Sequence, residues 1–190
     1  MSGIVGSYFN TRGSGVVAKL GTDGQVFTST GAGLSQGFEA APGGGKIGQV
    51  VQTVNTATET LSSDTFTTIA DFTVAITPVA TSSKILVMVN AQFGGGNGYS
   101  RRFQLFRDTT QIFMGDGAIR SAFGFNTNGT RQGDTGAICY LDSPSSTSEV
   151  SYSLKWSSQE SNTQYMGRSS ANDAFDAETP SSFTAMVILA

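Results

Sequence analysis

Histidine is absent from all 190 residues of this chain. That removes the commonest general base and the commonest metal ligand, and with them every Ser-His-Asp or Cys-His catalytic arrangement. Cysteine occurs once, at Cys139, so no intrachain disulfide can form and a zinc site lacks its usual ligands. The flanks of Cys139, Ala137-Ile138 and Tyr140-Leu141, mark it as a small buried hydrophobe. Charge is also scarce. Asp, Glu, Lys and Arg make up 13% of the residues, about half the usual share. A net charge of −3 leaves no clustered cations for phosphate, so nucleic acid is not an expected partner. The longest apolar run, Ile85-Leu86-Val87-Met88-Val89, is too short to cross a bilayer, and no membrane insertion is expected. The N-terminus has no basic stretch leading into an apolar core, so no secretory signal is read. No pattern calls for a cofactor or a metal.

In place of charge the chain carries 24 Gly and 47 Ser plus Thr. Hydroxyls and turn-formers suit an all-β surface protein and disfavour helices, which use Glu, Lys, Leu and Ala. The first 41 residues hold single apolar residues between frequent glycines. Such a segment cannot bury enough surface to offset its ordering entropy and is read as an extended arm. Its isolated apolar residues are Ile4, Val5, Tyr8, Phe9, Val16, Val17, Leu20, Val26, Phe27, Leu34 and Phe38, which we read as anchors for a docking arm. Residues 42–45, Pro followed by three Gly, form a hinge. Residues 46–190 form the body.

The body reads as strands throughout: 46–54, 66–76, 83–93, 99–107, 110–114, 133–141, 149–156, 163–168 and 183–189. The clearest is 83–93, with Ile85, Val87, Val89, Ala91 and Phe93 on one face. In 99–107, Phe103, Leu105 and Arg107 alternate with Arg102, Gln104 and Phe106. Ala70-Asp71 is a bulge or kink, and Asp108-Thr109 turns a hairpin. Eight to nine short strands and no 3.6-residue period predict a jelly-roll-like antiparallel β-sandwich. A final strand at the C-terminus is shared with trimeric jelly rolls of the tumour-necrosis-factor and C1q type, a fold analogy.

The block "GTDGQVFTSTGAG", the exit Phe38-Glu39-Ala40 and the re-entry "GKIGQVVQTV" resemble tail-fibre and other virion structural proteins of tailed bacteriophages. The opening "MSGIVGSYFNTRGSG" is similar to small structural proteins of marine phages, and "ITPVATSSKILVMVNAQFG" to the start of a distal domain in that group. The resemblance covers about the first half of the chain and implies a virion component.

Several constellations were weighed for chemistry. The carboxylates Asp108, Asp116, Asp134, Glu160, Asp173, Asp176 and Glu178 offer glycan-hydrolysis pairs, and the loop with Asp173, Asp176 and Glu178 a calcium site. The plain reading is a solvated loop whose acids cap turns, since the spacing is not that of an EF-hand. Gly94-Gly95-Gly96-Asn97-Gly98 is read as a long hairpin loop, because a strand and not a helix follows it. Arg101-Arg102 reads as an exposed edge pair that blocks aggregation. Trp156 with Gln159, Asn162, Gln164 and Tyr165 has the makings of a sugar-binding face, against the plainer reading of a core Trp beside loop amides.

Together these features predict a non-enzymatic virion protein, an arm-anchored homotrimeric appendage of the tail-fibre type. Its partners would be itself, other virion proteins and a host surface glycan. A head decoration or cement protein is the alternative, and a glycan-cleaving fibre enzyme a more distant one. Thirteen Phe with little charge exceed what one sandwich needs, which places a trimer interface on Phe103, Leu105, Phe106, Phe183 and Val187.

Overall fold

The computed structural model describes residues 25–28, 37–40, 46–95, 98–117, 121–126, 133–171, 173–174 and 178–189. The chain divides into two compact units, Met1–Gly45 and Lys46–Ala190. In the first, β1 (Gln25–Thr28) and β2 (Gly37–Ala40) pair as an antiparallel hairpin, Gln25 opposite Ala40.

The second unit is built from eleven strands among the described residues. They are β3 (Ile47–Asn55), β4 (Glu59–Leu61), β5 (Thr67–Ile76), β6 (Lys84–Gly95), β7 (Ser100–Arg107), β8 (Thr110–Ile112), β9 (Phe123–Asn126), β10 (Gly133–Asp142), β11 (Val150–Ser158), β12 (Gln164–Met166) and β13 (Ser181–Ile188). Three pairs of them act as single interrupted strands. β12 and β13 lie on the same edge of β6, and β4 and β3 continue outward from them. β8 and β9 likewise share one edge of β7. One sheet therefore runs β3/β4, β12/β13, β6, β10, and the other β5, β11, β7, β8/β9. Two four-stranded antiparallel sheets in that order are a jelly roll, as the strand pattern predicts.

The core lies between the sheets and follows strict alternation. Ile85, Val87, Val89, Ala91 and Phe93 of β6 are all at most 3% exposed. Phe103, Leu105, Tyr152, Leu154, Phe183, Ala185 and Val187 are at 0%. At one end Phe93 meets Phe103 with ring centroids 4.2 Å apart, and Phe103 stacks on Phe123 at 4.4 Å. At the other Phe72 tilts against Phe183 at 5.4 Å. The kink expected at Ala70-Asp71 is present. Asp71 has φ 49°, and the β11–β5 register shifts opposite it, between Ser153 and Lys155. The hairpin at Asp108-Thr109 is present too, with Arg107 opposite Thr110.

Three expectations are corrected. Cys139 is exposed, because it alternates with buried Ile138 and so points away from the core. Gly94 and Gly95 belong to β6 and not to a loop, since both pair with β12. Arg101 is fully buried, because β7 is an interior strand flanked by β11 and β9.

Candidate assembly surfaces

The described residues contain no group of three or more Cys, Asp or Glu placed to hold a metal. Exposed Asp173 and Glu178 flank positions outside the described residues, among them Asp176. Asp108 spends its carboxylate on the Ser151 amide at 2.9 Å, a turn contact.

The expected sugar-binding face does not assemble. Trp156 is 3% exposed and packs toward Phe93 at 6.2 Å. Gln164 is 0% exposed. Tyr165 points to the other side of β12, where the Arg168 guanidinium lies 3.9 Å from its ring. Gln159 is exposed and accepts the Ser100 amide at 3.2 Å, and Asn162 is half-buried. Alternation on β11 and β12 sends the two most specific of these side chains inward.

The expected trimer-interface residues fare similarly. Phe103, Leu105, Phe183 and Val187 are fully buried in the chain's own core. Of the body's described Phe residues, Phe72, Phe93, Phe103 and Phe183 lie within this sandwich, while Phe113 is exposed. Of the expected interface residues, Phe106 alone faces outward, half-buried under Lys155, whose Nζ lies 3.9 Å from the ring. The arm anchors Ile4, Val5, Tyr8, Phe9, Val16, Val17, Leu20 and Leu34 lie outside the described residues. Val26, Phe27 and Phe38 lie on the backbone of β1 and β2, where Phe27 is opposite Phe38 in register.

What the fold does build is a contrast between its two outer faces. Register places Val50, Met186, Leu86 and Leu141 in one outward row across β3, β13, β6 and β10. The next row is Gln52, Thr184, Met88 and Cys139, and the next Val54, Ser182, Asn90 and Ala137. Val50, Val54 and Leu141 are 52%, 53% and 45% exposed. Lys84, beside Ile188 at the rim, carries the one charge on these outward positions. The opposite outer face is different in kind. Thr73, Ser153, Phe106 and Gln111 form one row there, and Thr68, Lys155 and Gln104 another.

Sequence reasoning missed the polar groups that join the sheets. Asp142 ends β10, 4% exposed, and accepts the Tyr152 hydroxyl at 2.7 Å and Arg107 Nη1 at 2.8 Å. Burial, then the hydrogen bond and charge of Asp142, hold the Tyr152 phenol well above its ordinary pKa. The signal was available: Ile138, Tyr140 and Asp142 share a side of β10. Nothing in the sequence signals that Arg101 is buried, yet it is 0% exposed. Its guanidinium lies over Gly95, where any Cβ would collide with it, and Nη1 donates to the Tyr99 carbonyl. Burial lowers the pKa of Arg101. Beside it an open cleft of about 310 Å3 is lined by Ser100, Arg101, Arg102, Gly124, Phe125 and Asn126. Arg102 also reaches Asp64 at 3.8 Å.

No family model matches the chain, and no curated protein matches it. Solved structures of infectious bursal disease virus are similar in part. The T13 viral particle superposes with a TM-score of 0.41 at 11% identity, over 86% of this chain and 39% of that one. The VP2 subviral particle gives 0.39 at 9% identity, over 87% and 43%. A mutant VP2 forming T=1 particles gives 0.39 at 11% identity, over 86% and 40%. The chain spans about two fifths of the length of these structures.

Proposed function

We propose that this chain is a non-enzymatic structural subunit of a virus particle, an arm-bearing, self-associating appendage of the tail-fibre type. The observation that carries the reading is the contrast between the outer faces, one crossed by an apolar row from Val50 to Leu141 with a single charged position, the other made of hydroxyls, amides and Lys155 around Phe106. A subunit that works by contact needs a rigid body, a face to pack and an anchor. The closed eight-stranded sandwich supplies the body and the β3–β13–β6–β10 sheet the face. The Gly-rich segment 1–41 supplies the anchor, adding strands and single apolar residues to neighbouring virion proteins. Its resemblance to phage structural proteins supports the same assignment.

One observation favours a head-decoration role over a receptor-binding one. The residues most suited to reading a host glycan, Trp156 and Gln164, are inside the body. A decoration subunit needs no receptor. Copy number separates the two readings. Particles are purified and the chain is quantified by mass spectrometry against the major shell protein. A decoration subunit is present in copies on the order of hundreds, and a fibre in a few tens at most, because shell and tail differ in symmetry order. A particle lacking the chain altogether would end both readings.

A further inference from the structure

We propose that the outward face of the β3–β13–β6–β10 sheet is covered by a second copy of this chain. The row Val50, Met186, Leu86, Leu141 crosses all four strands in register, with Met88 and Cys139 beside it. None of these side chains belongs to the subunit's own core: Leu86, Met88, Met186, Cys139 and Leu141 each alternate with a buried neighbour, and Val50 stands next to half-buried Val51. Centres of interfaces are depleted in charge and enriched in Met, which is the composition found here and not on the opposite face.

Size points to a whole subunit as the occupant. Four strands about 4.8 Å apart, about nine residues long at about 3.4 Å each, give a face of roughly 600 Å2. Eight of the twelve positions in its three rows are apolar, so the apolar part is roughly 400 Å2, within the range of about 300–600 Å2 for the largest patches on monomers. Two such faces in contact remove on the order of 1,200 Å2 from water, where specific interfaces begin. A single docked strand would leave most of the rows wet. With Lys84 at one rim and Arg168 over Tyr165 beyond the end of β13, the charges stand outside the apolar row, which therefore offers little charge pattern by which to select a foreign partner and suits its own copy. This deepens the self-association part of the reading above, rests on that part, and is independent of any virus particle.

The test uses the full chain. Light scattering after gel filtration reads the mass, and maleimide labelling reads access to Cys139. The wild type should run above monomer mass at tens of micromolar, with Cys139 labelled at least about tenfold more slowly than in urea-unfolded protein. Leu86→Lys and Met186→Lys should give folded monomers with fast labelling, whereas Thr73→Lys on the opposite face should change neither. Leu141→Glu, at an edge position already 45% exposed, guards against misfolding of the first two. An assembly that survives all three face substitutions would overturn the face and leave self-association standing. A wild-type monomer with fast-labelling Cys139 would overturn both. A wild-type monomer with protected Cys139 would mean the face is covered from within the chain, and would overturn the proposal.

Discussion

At the end of β10, alternation would place a hydrophobe, and Asp142 turns inward instead. Its carboxylate lies on one sheet, and Arg107 and Tyr152 on the other, so the cluster is a polar tie between the layers. Replacing Asp142 with Ala strands a buried phenol and a guanidinium that is 24% exposed. The expected cost is about 2–4 kcal/mol, at the lower part of the range for buried pairs because Arg107 retains some water. Urea unfolding checks it, and a loss under about 1 kcal/mol would mean the tie is idle. Tyr152 adds a pH dependence. Its folded pKa lies above the ordinary value of 10.0, so the fold favours the neutral phenol. That contribution is complete below about pH 10 and declines as pH rises further, because the unfolded chain then releases its proton first. Tyr152→Phe should cost about 1 kcal/mol at pH 8 yet lose less stability than the wild type between pH 8 and 11. Parallel alkaline declines in the two proteins would refute the assignment.

At the scale of elements, the strands were legible wherever alternation ran long enough. β5, β6, β7, β10 and β13 all follow from period-2 patterns, with β6, β10 and β13 in one sheet and β5 and β7 in the other. β4 and β9 were not legible. They are three and four residues long and become strands only by extending ladders that β12 and β7 already hold. The sidedness of Cys139 was misread because apolar neighbours were counted in place of the alternation with Ile138. For Trp156 the plainer reading of a core Trp holds, and the sugar-binding alternative fails because spacing in sequence does not reveal which side chains a pleat turns inward. The glycines of β6 look like a loop in sequence because close approach by another segment cannot be seen in one strand. A Cβ at Gly94 would stand 2.5 Å from the Arg168 carbonyl oxygen and 2.7 Å from Ser169 Cα, both backbone. Gly94→Ala should therefore push the chain after β12 away and cost about 2–3 kcal/mol. A thermal melt unchanged by this substitution would show that the 168–169 segment yields freely.

The whole molecule poses the question of which part folds and which part joins. Every strand of both sheets lies between Ile47 and Ile188, and the division between units falls after Gly45. The body's apolar core is closed by its own two layers, so it has no need of the first unit to exclude water. A fragment of residues 46–190 should therefore melt cooperatively with a β circular-dichroism spectrum and keep the oligomeric state of the full chain. The anchoring role proposed above divides the other way. Segment 1–41 holds eleven apolar residues read as anchors, and burying each in a neighbour would contribute about 1.5–3 kcal/mol. Ordering some 40 residues costs about 1 kcal/mol or more apiece, so the balance is near zero until partner surfaces add backbone hydrogen bonds. On the anchoring reading proposed above, attachment would then belong to the assembled site and not to the free chain. Particles grown with the 46–190 fragment in place of the full chain should lack it, while the fragment accumulates folded in the soluble fraction. If the fragment joined particles at the wild-type copy number, the anchoring role would pass from the arm to the faces of the sandwich.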